Sequence, residues 1–136
     1  MSTRDFFDTN VVVYFFSDEG RHTEVAEGLL VEGGVVSVQV LNELVSVAHG
    51  KLRMNWDEIR RACEKTLKFC PNPVPLTEEI HRSAVEISAR YGYPIYDSLI
   101  LAAAMQAGCT RVYSQDMQNG QTIGKLTIVN PFLACL

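Results

Sequence analysis

A polar triplet, Asp8-Thr9-Asn10, interrupts an otherwise apolar run near the start of the chain. Two phenylalanines precede it, and the sequence VVVYFF follows it. A short apolar run that ends in an acid and small hydrogen-bonding residues is typical of a buried strand with a carboxylate at its C-terminal tip. In open parallel α/β sheets, ligands bind at that tip. We therefore expect a strand over residues 4–8 and a functional carboxylate at Asp8.

The run after the triplet is ambiguous. Its valines and aromatic residues have high strand propensity. However, Thr9 and Asn10 are also residue types that cap helices. Periodicity does not decide between the two, and we favour a short buried helix because it fits a strand-to-helix turn.

Short apolar segments alternate with longer segments of helical periodicity along the rest of the chain. This alternation favours an α/β fold with a largely parallel sheet and helices on both of its faces. Further strands are expected at residues 35–38, 74–76, 111–114 and 126–129. Further helices are expected at residues 21–31, around 41–48 with Gly50 as the C′ residue, from the cap Asn55 through Cys70, from the cap Thr77 to about Tyr91 with Gly92 ending it, and from Pro94 as first helical residue to Gly108.

The composition indicates a single domain over residues 1–136, large enough to bury a core. With 47% hydrophobic and 21% charged residues, the chain is not of the disordered class. The net charge of −4 is too small to exclude nucleic acid as a partner. Arg4 and Asp5 precede any apolar run, so we expect no signal peptide, and the apolar segments are too short to span a membrane.

The cysteines form no CxxC pair, and no histidine lies at metal-ligand spacing from them. We therefore expect reduced, mostly buried thiols in a cytoplasmic protein. The four are Cys63, Cys70, Cys109 and Cys135.

Half of the twelve basic residues fall within residues 51–68, opposed by three acids. This span is net positive within an acidic protein. It either follows a phosphate backbone or forms a solvated helix face, which is the commoner explanation of such a pattern. The basic residues are Lys51, Arg53, Arg60, Arg61, Lys65 and Lys68.

Four acids stand among apolar neighbours, although acids are rarely buried unless they are paired or bind a metal. Asp8 and Asp116 follow predicted strands, and Glu43 lies in a helix that follows one. In a parallel sheet these positions share one edge. Asp97 lies in the first turn of a helix that follows no predicted strand, so the topology does not by itself place it there.

Converging carboxylates repel one another, and a divalent cation removes that repulsion. The sequence offers no cluster of His or Cys, and an all-oxygen site favours Mg²⁺ or Mn²⁺ over Zn²⁺. Such an ion polarises a phosphoryl oxygen, activates water and stabilises the leaving oxygen. The pattern therefore suggests metal-assisted phosphodiester cleavage, with Asp8 as the central ligand.

Each acid taken alone also has a purely structural explanation. Asp8 suits a turn or a cap, Glu43 a helix surface, Asp97 a favourable helix dipole and Asp116 a loop. The joint pattern favours a site, because three of the four fall where an α/β sheet places one.

Several polar residues accompany the acids. Thr9, Asn10 and Ser114 are expected to orient ligands by hydrogen bonding, although such residues also satisfy backbone groups. The three histidines are expected to be exposed on separate helices and to have no catalytic role. They are His22, His49 and His81.

Four segments in series resemble the PIN-domain family, and within it the VapC-type toxins of toxin–antitoxin pairs. They are FDTN at residues 7–10, VQVLNE at 38–43, YDSLILAAA at 96–104 and VYSQDM at 112–117. Each motif alone is a weak signal. Their order and their spread over essentially the whole chain make the resemblance specific.

The resemblance implies a three-layer α/β/α sandwich with a mostly parallel sheet of about five short strands. It also implies a metal-dependent endoribonuclease that uses Mg²⁺ or Mn²⁺ to hydrolyse RNA. Asp8, Glu43, Asp97 and Asp116 match the four acidic positions of the family and are expected to be catalytic. Asp8, Asp97 and Asp116 are expected to bind the metal.

Thr9, Asn10 and Ser114 match the polar positions that accompany those acids. The sequence departs from the family where Gln115 and Met117 flank the last acid, because a further acid is common there. The number of metal ions therefore stays open. The resemblance further implies a homodimer and a cognate antitoxin, with DNA contacted only through that antitoxin. The short apolar segments predict no contact with a membrane.

Two other functions fit parts of the pattern. One is a catalytically silent PIN-like module that binds RNA or protein, although the complete set of acids argues against it. The other is a small-molecule phosphohydrolase with Asp8 as a covalent nucleophile. That chemistry usually needs a second acid two residues further on, where this chain has Asn10.

Overall fold

The computed structural model describes residues 5–135, which form six helices and four short strands. The helices are α1 (Thr9–Phe15), α2 (Arg21–Glu32), α3 (Val38–Gly50), α4 (Trp56–Phe69), α5 (Glu78–Tyr91) and α6 (Ile95–Gln106). The strands are β1 (Asp5–Phe7), β2 (Arg111–Tyr113), β3 (Thr122–Ile123) and β4 (Leu126–Val129). Arg4, the first residue of the first predicted strand, lies outside the described residues.

The strands form one sheet in the order β1-β2-β4-β3. β1, β2 and β4 are parallel to their neighbours, and β3 runs antiparallel to β4. Phe6 lies opposite Val112, which lies opposite Ile128, and all three side chains are fully buried. The three parallel strands therefore share a buried centre, and their carboxyl ends lie at one edge of the sheet.

Two of the predicted strands are reduced to single bridges. Val35 pairs with Phe6 and Ser37 pairs with Val74, both in parallel orientation. The first segment cannot continue as a strand because Ser37 is already the N-cap of α3. The second is followed by Pro75, which has no N–H for a ladder. The sheet thus has four strands where about five were predicted, and the bridges continue it beyond β1.

The run after the polar triplet is helical, as predicted, and forms α1, but Thr9 and Asn10 are its first two residues rather than its cap. Its N-cap is Asp8, whose side chain accepts a hydrogen bond from the backbone N–H of Thr9. Asn55 caps α4 in a capping box with Glu58, so this predicted start is confirmed. The polar residues at these helix ends therefore act through their side-chain oxygens, which satisfy backbone N–H groups that have no partner within the helix.

Two helix ends differ from the predicted ones. Pro94 is the N-cap of α6 rather than its first helical residue. Gly50 is the last residue of α3 rather than its C′ residue, and Lys51 after it is still in the right-handed helical region. The ends of α5 are confirmed, with Thr77 as the N-cap and Gly92 in the left-handed conformation.

The helices pack in two groups. Helices α1 to α4 contact one another, whereas α5 packs along α6 and α6 contacts β2. The apolar helix α6 is buried over most of its length, as its composition predicts. The architecture is the expected α/β/α sandwich. Within residues 5–135 no helix combines the length and the apolar character needed to cross a bilayer.

Gly34 lies where the chain returns from α2 to the sheet. A Cβ atom at this position would stand 2.7 Å from the carbonyl oxygen of Asp5 and 2.6 Å from the ring of Phe7. Both distances are shorter than non-bonded atoms allow, and a backbone carbonyl cannot move aside easily. Only glycine therefore lets this segment approach β1 at the residues that precede Asp8.

We expect Gly34→Ala to lower the free energy of unfolding by about 1–3 kcal/mol, because the added methyl group overpacks this contact. Gly28→Ala is the matched control. Position 28 is exposed within α2, and a methyl group there would meet no atom within 4 Å, so this change should stabilise by up to about 1 kcal/mol. Urea unfolding of both variants tests the pair, and a Gly34→Ala protein as stable as the wild type would contradict the packing argument.

Candidate active site

Asp8 lies at the junction of β1 and α1, beside the end of β2. Its backbone N–H donates to the carbonyl oxygen of Tyr113 at 3.0 Å, which continues the parallel pairing by one residue. One carboxylate oxygen accepts from the N–H of Thr9 at 2.7 Å, and the other accepts from the hydroxyl of Ser114 at 2.8 Å. The two residues that follow adjacent strands are thus joined through their side chains.

The Asp8 carboxyl is buried, with 6% of the residue exposed. Its pKa is raised from the ordinary 3.8 to about 6, mainly by burial and to a smaller extent by the negative charges of Asp97 and Glu43. The hydrogen bonds from Ser114 and Thr9 act in the opposite direction, but they do not compensate for the lost hydration. Asp8 is therefore a desolvated acid within range of two other acids.

Two further acids are tied to α1 by side chains of its first turn. The Thr9 hydroxyl donates to Oε1 of Glu43 on α3 at 2.7 Å. The Asn10 carboxamide donates to Oδ2 of Asp116, in the loop after β2, at 2.6 Å. The structure therefore brings the polar triplet together with Glu43 and Asp116, as the shared edge of a parallel sheet predicts.

Asp97 reaches the same edge from the first turn of α6. Helix α6 leads into β2 and packs against it. A helix that precedes a parallel strand runs in the opposite direction to that strand. The first turn of α6, with Asp97, therefore lies at the carboxyl edge of β2. Burial and then the charge of Asp116 raise the pKa of Asp97, and its charge also acts on Asp8.

The charge and the donors of this cluster fit a divalent cation. The donors are all oxygen atoms, which suit Mg²⁺ or Mn²⁺. Within the described part of the chain, none of the four acids forms an ion pair with Lys or Arg. Two of them have raised pKa values, so negative charge in this cluster is incompletely compensated.

The spacing of the cluster adds a constraint. Among residues 5–135, no three His, Cys, Asp or Glu side chains are grouped closely enough to hold a metal ion. Three of the four acids, Asp8, Glu43 and Asp116, are instead hydrogen-bonded to Ser114, Thr9 and Asn10 respectively. With this spacing, an ion bound here would contact some of the acids only through its own water shell, part of which Mg²⁺ usually keeps.

One contact at the edge of the cluster is not predicted from the sequence. The hydroxyl of Tyr14 on α1 donates to Oε1 of Gln115 at 2.8 Å. The Tyr14 ring also packs against His22 and Phe132, at centroid distances of 4.8 and 4.9 Å. His22 is therefore half-buried rather than exposed as predicted, because its ring packs against both of these aromatic rings. The sequence signal for this contact is the spacing of four residues between Asn10 and Tyr14, which places both side chains on the same face of a helix.

The predicted cluster of basic residues lies mostly on α4. Arg61, Lys65 and Lys68 line an open groove of about 490 Å³ that also contains Glu64 and Phe69. Arg60, on the same helix, is paired with Asp57 instead. All of these charged side chains are exposed, so both interpretations of the span stay in place.

The family model described as the PIN domain matches residues 6–118, a segment that contains all four acids. A comparison with curated protein sequences gives no match.

Solved structures with the same fold come from several bacteria. A toxin–antitoxin complex from Klebsiella pneumoniae aligns with a TM-score of 0.71 at 20% identity, covering 96% of this chain and 98% of that one. The VapC20 toxin of Mycobacterium tuberculosis, described as cleaving the sarcin–ricin loop, gives 0.63 at 17% identity over 82% and 89% of the two chains. VapBC2 from Rickettsia felis, bound to a promoter DNA fragment, gives 0.63 at 16% identity over 91% and 96%.

The raised pKa of Asp8 has a consequence for stability. The folded protein holds this proton more tightly than the unfolded chain, so ionisation of Asp8 lowers the stability of the metal-free protein. This unfavourable contribution is absent below about pH 4, grows as the pH rises towards 6 and is complete above it.

We therefore expect Asp8→Asn to stabilise the metal-free protein by roughly 1–3 kcal/mol at pH 7.5, and by nearly nothing below about pH 4. Urea unfolding in EDTA across this pH range measures the difference from the wild type. Asp18→Asn, in an exposed turn, is the control and should show no such pH-dependent difference. A wild type that is more stable than Asp8→Asn at pH 7.5 would refute the argument from desolvation.

Proposed function

The chain belongs to the PIN-domain family, and on that premise we propose that it is a metal-dependent endoribonuclease and the toxin of a type II toxin–antitoxin pair. The observation that carries the proposal is the meeting of Asp8, Glu43, Asp97 and Asp116 at one edge of the sheet. None of them is neutralised by a basic side chain within the described residues. Such a cluster is unfavourable unless a cation or a catalytic role accounts for it.

In this proposal Asp8, Asp97 and Asp116 hold Mg²⁺ or Mn²⁺. When bound, such an ion polarises a phosphoryl oxygen, lowers the pKa of water and stabilises charge that develops on the leaving oxygen. Asp8 is the central residue, because two hydrogen bonds fix both of its oxygens at the end of β1. Ser114 and Thr9 therefore orient the carboxylate and leave little freedom to be lost on binding.

Glu43 is the residue to which we assign proton transfer. Thr9 holds one of its oxygens at 2.7 Å, and the other has no hydrogen-bond partner among residues 5–135. A half-buried carboxylate held in this way is placed to accept the proton of an attacking water. Because water is the nucleophile in this proposal, the ribose 2′-hydroxyl is not required, and the expected product carries a 5′-phosphate.

The partners are proposed by analogy with proteins of the same fold. Two of the similar structures are a toxin–antitoxin complex and a VapBC2 complex bound to promoter DNA. By this analogy, the chain pairs with a cognate antitoxin and contacts DNA only through it. The family resemblance further implies that the antitoxin inhibits the chain, and that the chain is a cytoplasmic homodimer. The third similar structure is described as a toxin that cleaves the sarcin–ricin loop, which supports RNA as the substrate class.

One observation favours the alternative of a catalytically silent binding module. No three acids in the described part of the chain are close enough to enclose an ion. A module of this kind would bind RNA without cleaving it and would show no specific affinity for divalent ions.

We expect the purified protein, free of antitoxin, to cleave a structured RNA pool in the presence of Mn²⁺. EDTA and the variant Asp97→Asn should each lower the rate by about 10³-fold or more, because both remove charge stabilisation at the reacting phosphate. Asp18→Asn is the matched control and should cleave as the wild type does. Intact RNA in every reaction, with folded protein that binds RNA, would instead establish the binding module.

We expect Mn²⁺ to bind and stabilise the wild type without any substrate. At a free concentration about a hundred times the dissociation constant, binding should add about 3 kcal/mol to the free energy of unfolding. Asp116→Asn should weaken binding about tenfold, because it removes one anionic ligand. Isothermal titration with Mn²⁺ gives both affinities, and Glu86→Gln, an exposed acid on α5, serves as the control. Equal affinity in the wild type and Asp116→Asn would exclude Asp116 as a ligand.

A further inference from the structure

We propose that Tyr14 and Gln115 are positioning residues, which fix the loop after β2 so that Asp116 is held at the catalytic edge. This inference rests on the proposed nuclease function, and it concerns two residues that lie outside the acidic set. Gln115 is, with Met117, one of the two residues flanking Asp116 where the sequence departs from the family pattern.

Asp116 needs such support because it lies in irregular backbone. β2 ends at Tyr113, and residues 115–117 form bends that belong to no helix or strand. Asp116 itself is exposed, unlike Asp8. An exposed carboxylate on such a loop loses conformational entropy when it is held in one place, and this opposes its action at a fixed site.

Helix α1 contacts this loop at two consecutive residues. Asn10 and Tyr14 are four residues apart and so lie on the same face of the helix. Asn10 donates to Asp116 at 2.6 Å, and Tyr14 donates to the side chain of Gln115 at 2.8 Å. Because the second bond is made to the neighbouring residue, it restrains the backbone of Asp116 without occupying the carboxylate.

The phenol ring of Tyr14 is itself held in position. Phe132, which is 3% exposed, packs edge-on against it at a centroid distance of 4.9 Å, and His22 packs against it at 4.8 Å. His22 and Phe132 also stack on each other at 5.2 Å. The three rings come from α1, α2 and the segment after β4, so the hydroxyl that reaches Gln115 is anchored to three parts of the fold.

A purely structural role for Tyr14 makes a different prediction. If the ring only fills space, removal of the hydroxyl changes neither catalysis nor metal binding. If the hydroxyl positions Asp116, its removal lowers kcat and weakens metal binding while the Michaelis constant for RNA stays unchanged. A change that affects only the transition state lowers kcat without raising the Michaelis constant, which separates the two effects.

The test uses Tyr14→Phe, Gln115→Met and the double variant. Each single change removes one partner of the hydrogen bond and keeps the size of the side chain. We expect each to lower kcat about tenfold, with a Michaelis constant within about twofold of the wild type. The double variant should be no worse than either single variant, because all three lack the same hydrogen bond. Mn²⁺ affinity, measured by titration without RNA, should fall in parallel.

Tyr91→Phe is the control. Tyr91 is half-buried at the end of α5 and its hydroxyl forms no hydrogen bond among the described residues, so its removal should leave every value unchanged. Wild-type kcat and Mn²⁺ affinity in both single variants would overturn the proposal, and so would additive losses in the double variant. If Tyr14→Phe unfolds, Gln115→Met decides, because it leaves the three rings untouched.

The failure of the proposed function looks different. A wild type that does not cleave RNA contradicts the nuclease, and Mn²⁺ affinity then tests the positioning role by itself. A wild type that neither cleaves RNA nor binds Mn²⁺ overturns both. If the wild type cleaves RNA and both Tyr14→Phe and Gln115→Met cleave it at the same rate, only the positioning role is overturned.

Discussion

The site depends on one buried carboxylate held between two strands. Asp8 accepts a hydrogen bond from the residue that follows it and one from Ser114, the first residue after the neighbouring strand. These bonds exist because β1 and β2 are parallel and in register, with Phe7 opposite Tyr113. The free energy that burial of Asp8 costs is supplied by the apolar packing of the sheet, in which Phe6, Phe7 and Val112 are almost completely buried. The core thus maintains an acid in an environment that raises its pKa.

Two of the other acids, Glu43 and Asp116, are held near Asp8 by the first turn of α1. Asp8 begins α1, and the first turn of that helix holds Glu43 through Thr9 and Asp116 through Asn10. A short helix is stiff, so fixing the backbone of its first turn also fixes the positions of the several side chains that this turn carries. The polar triplet therefore both forms part of the site and organises the rest of it.

The sequence predicts the elements of this site better than their meeting point. The strand ends at Asp8 and Asp116 follow from apolar runs that stop at acids, and the four motifs were sufficient to indicate the family. The position of Asp97 does not follow from the rule for helices after strands. It follows from the direction of α6, which precedes β2 and runs opposite to it.

The sequence does not predict β3, because a strand of two residues shows no periodicity. The strand predicted at residues 35–38 is shortened because Ser37 serves as the N-cap of α3. A hydrogen bond such as that between Tyr14 and Gln115 cannot be predicted from the sequence, because it depends on how distant segments pack in the tertiary structure.

The same topology determines when during synthesis the site can exist. The bond between Ser114 and Asp8 joins residues that are 106 positions apart, as does the ion pair that closes the other end of the β1–β2 pair between Arg111 and Asp5. Contacts of such long range form late, because the intervening chain must be ordered first. A nascent chain that has not yet produced β2 has neither the partner strand of β1 nor Asp116. The four acids therefore cannot come together in any N-terminal fragment that ends before Asp116, and they meet only when most of the domain has left the ribosome and folded.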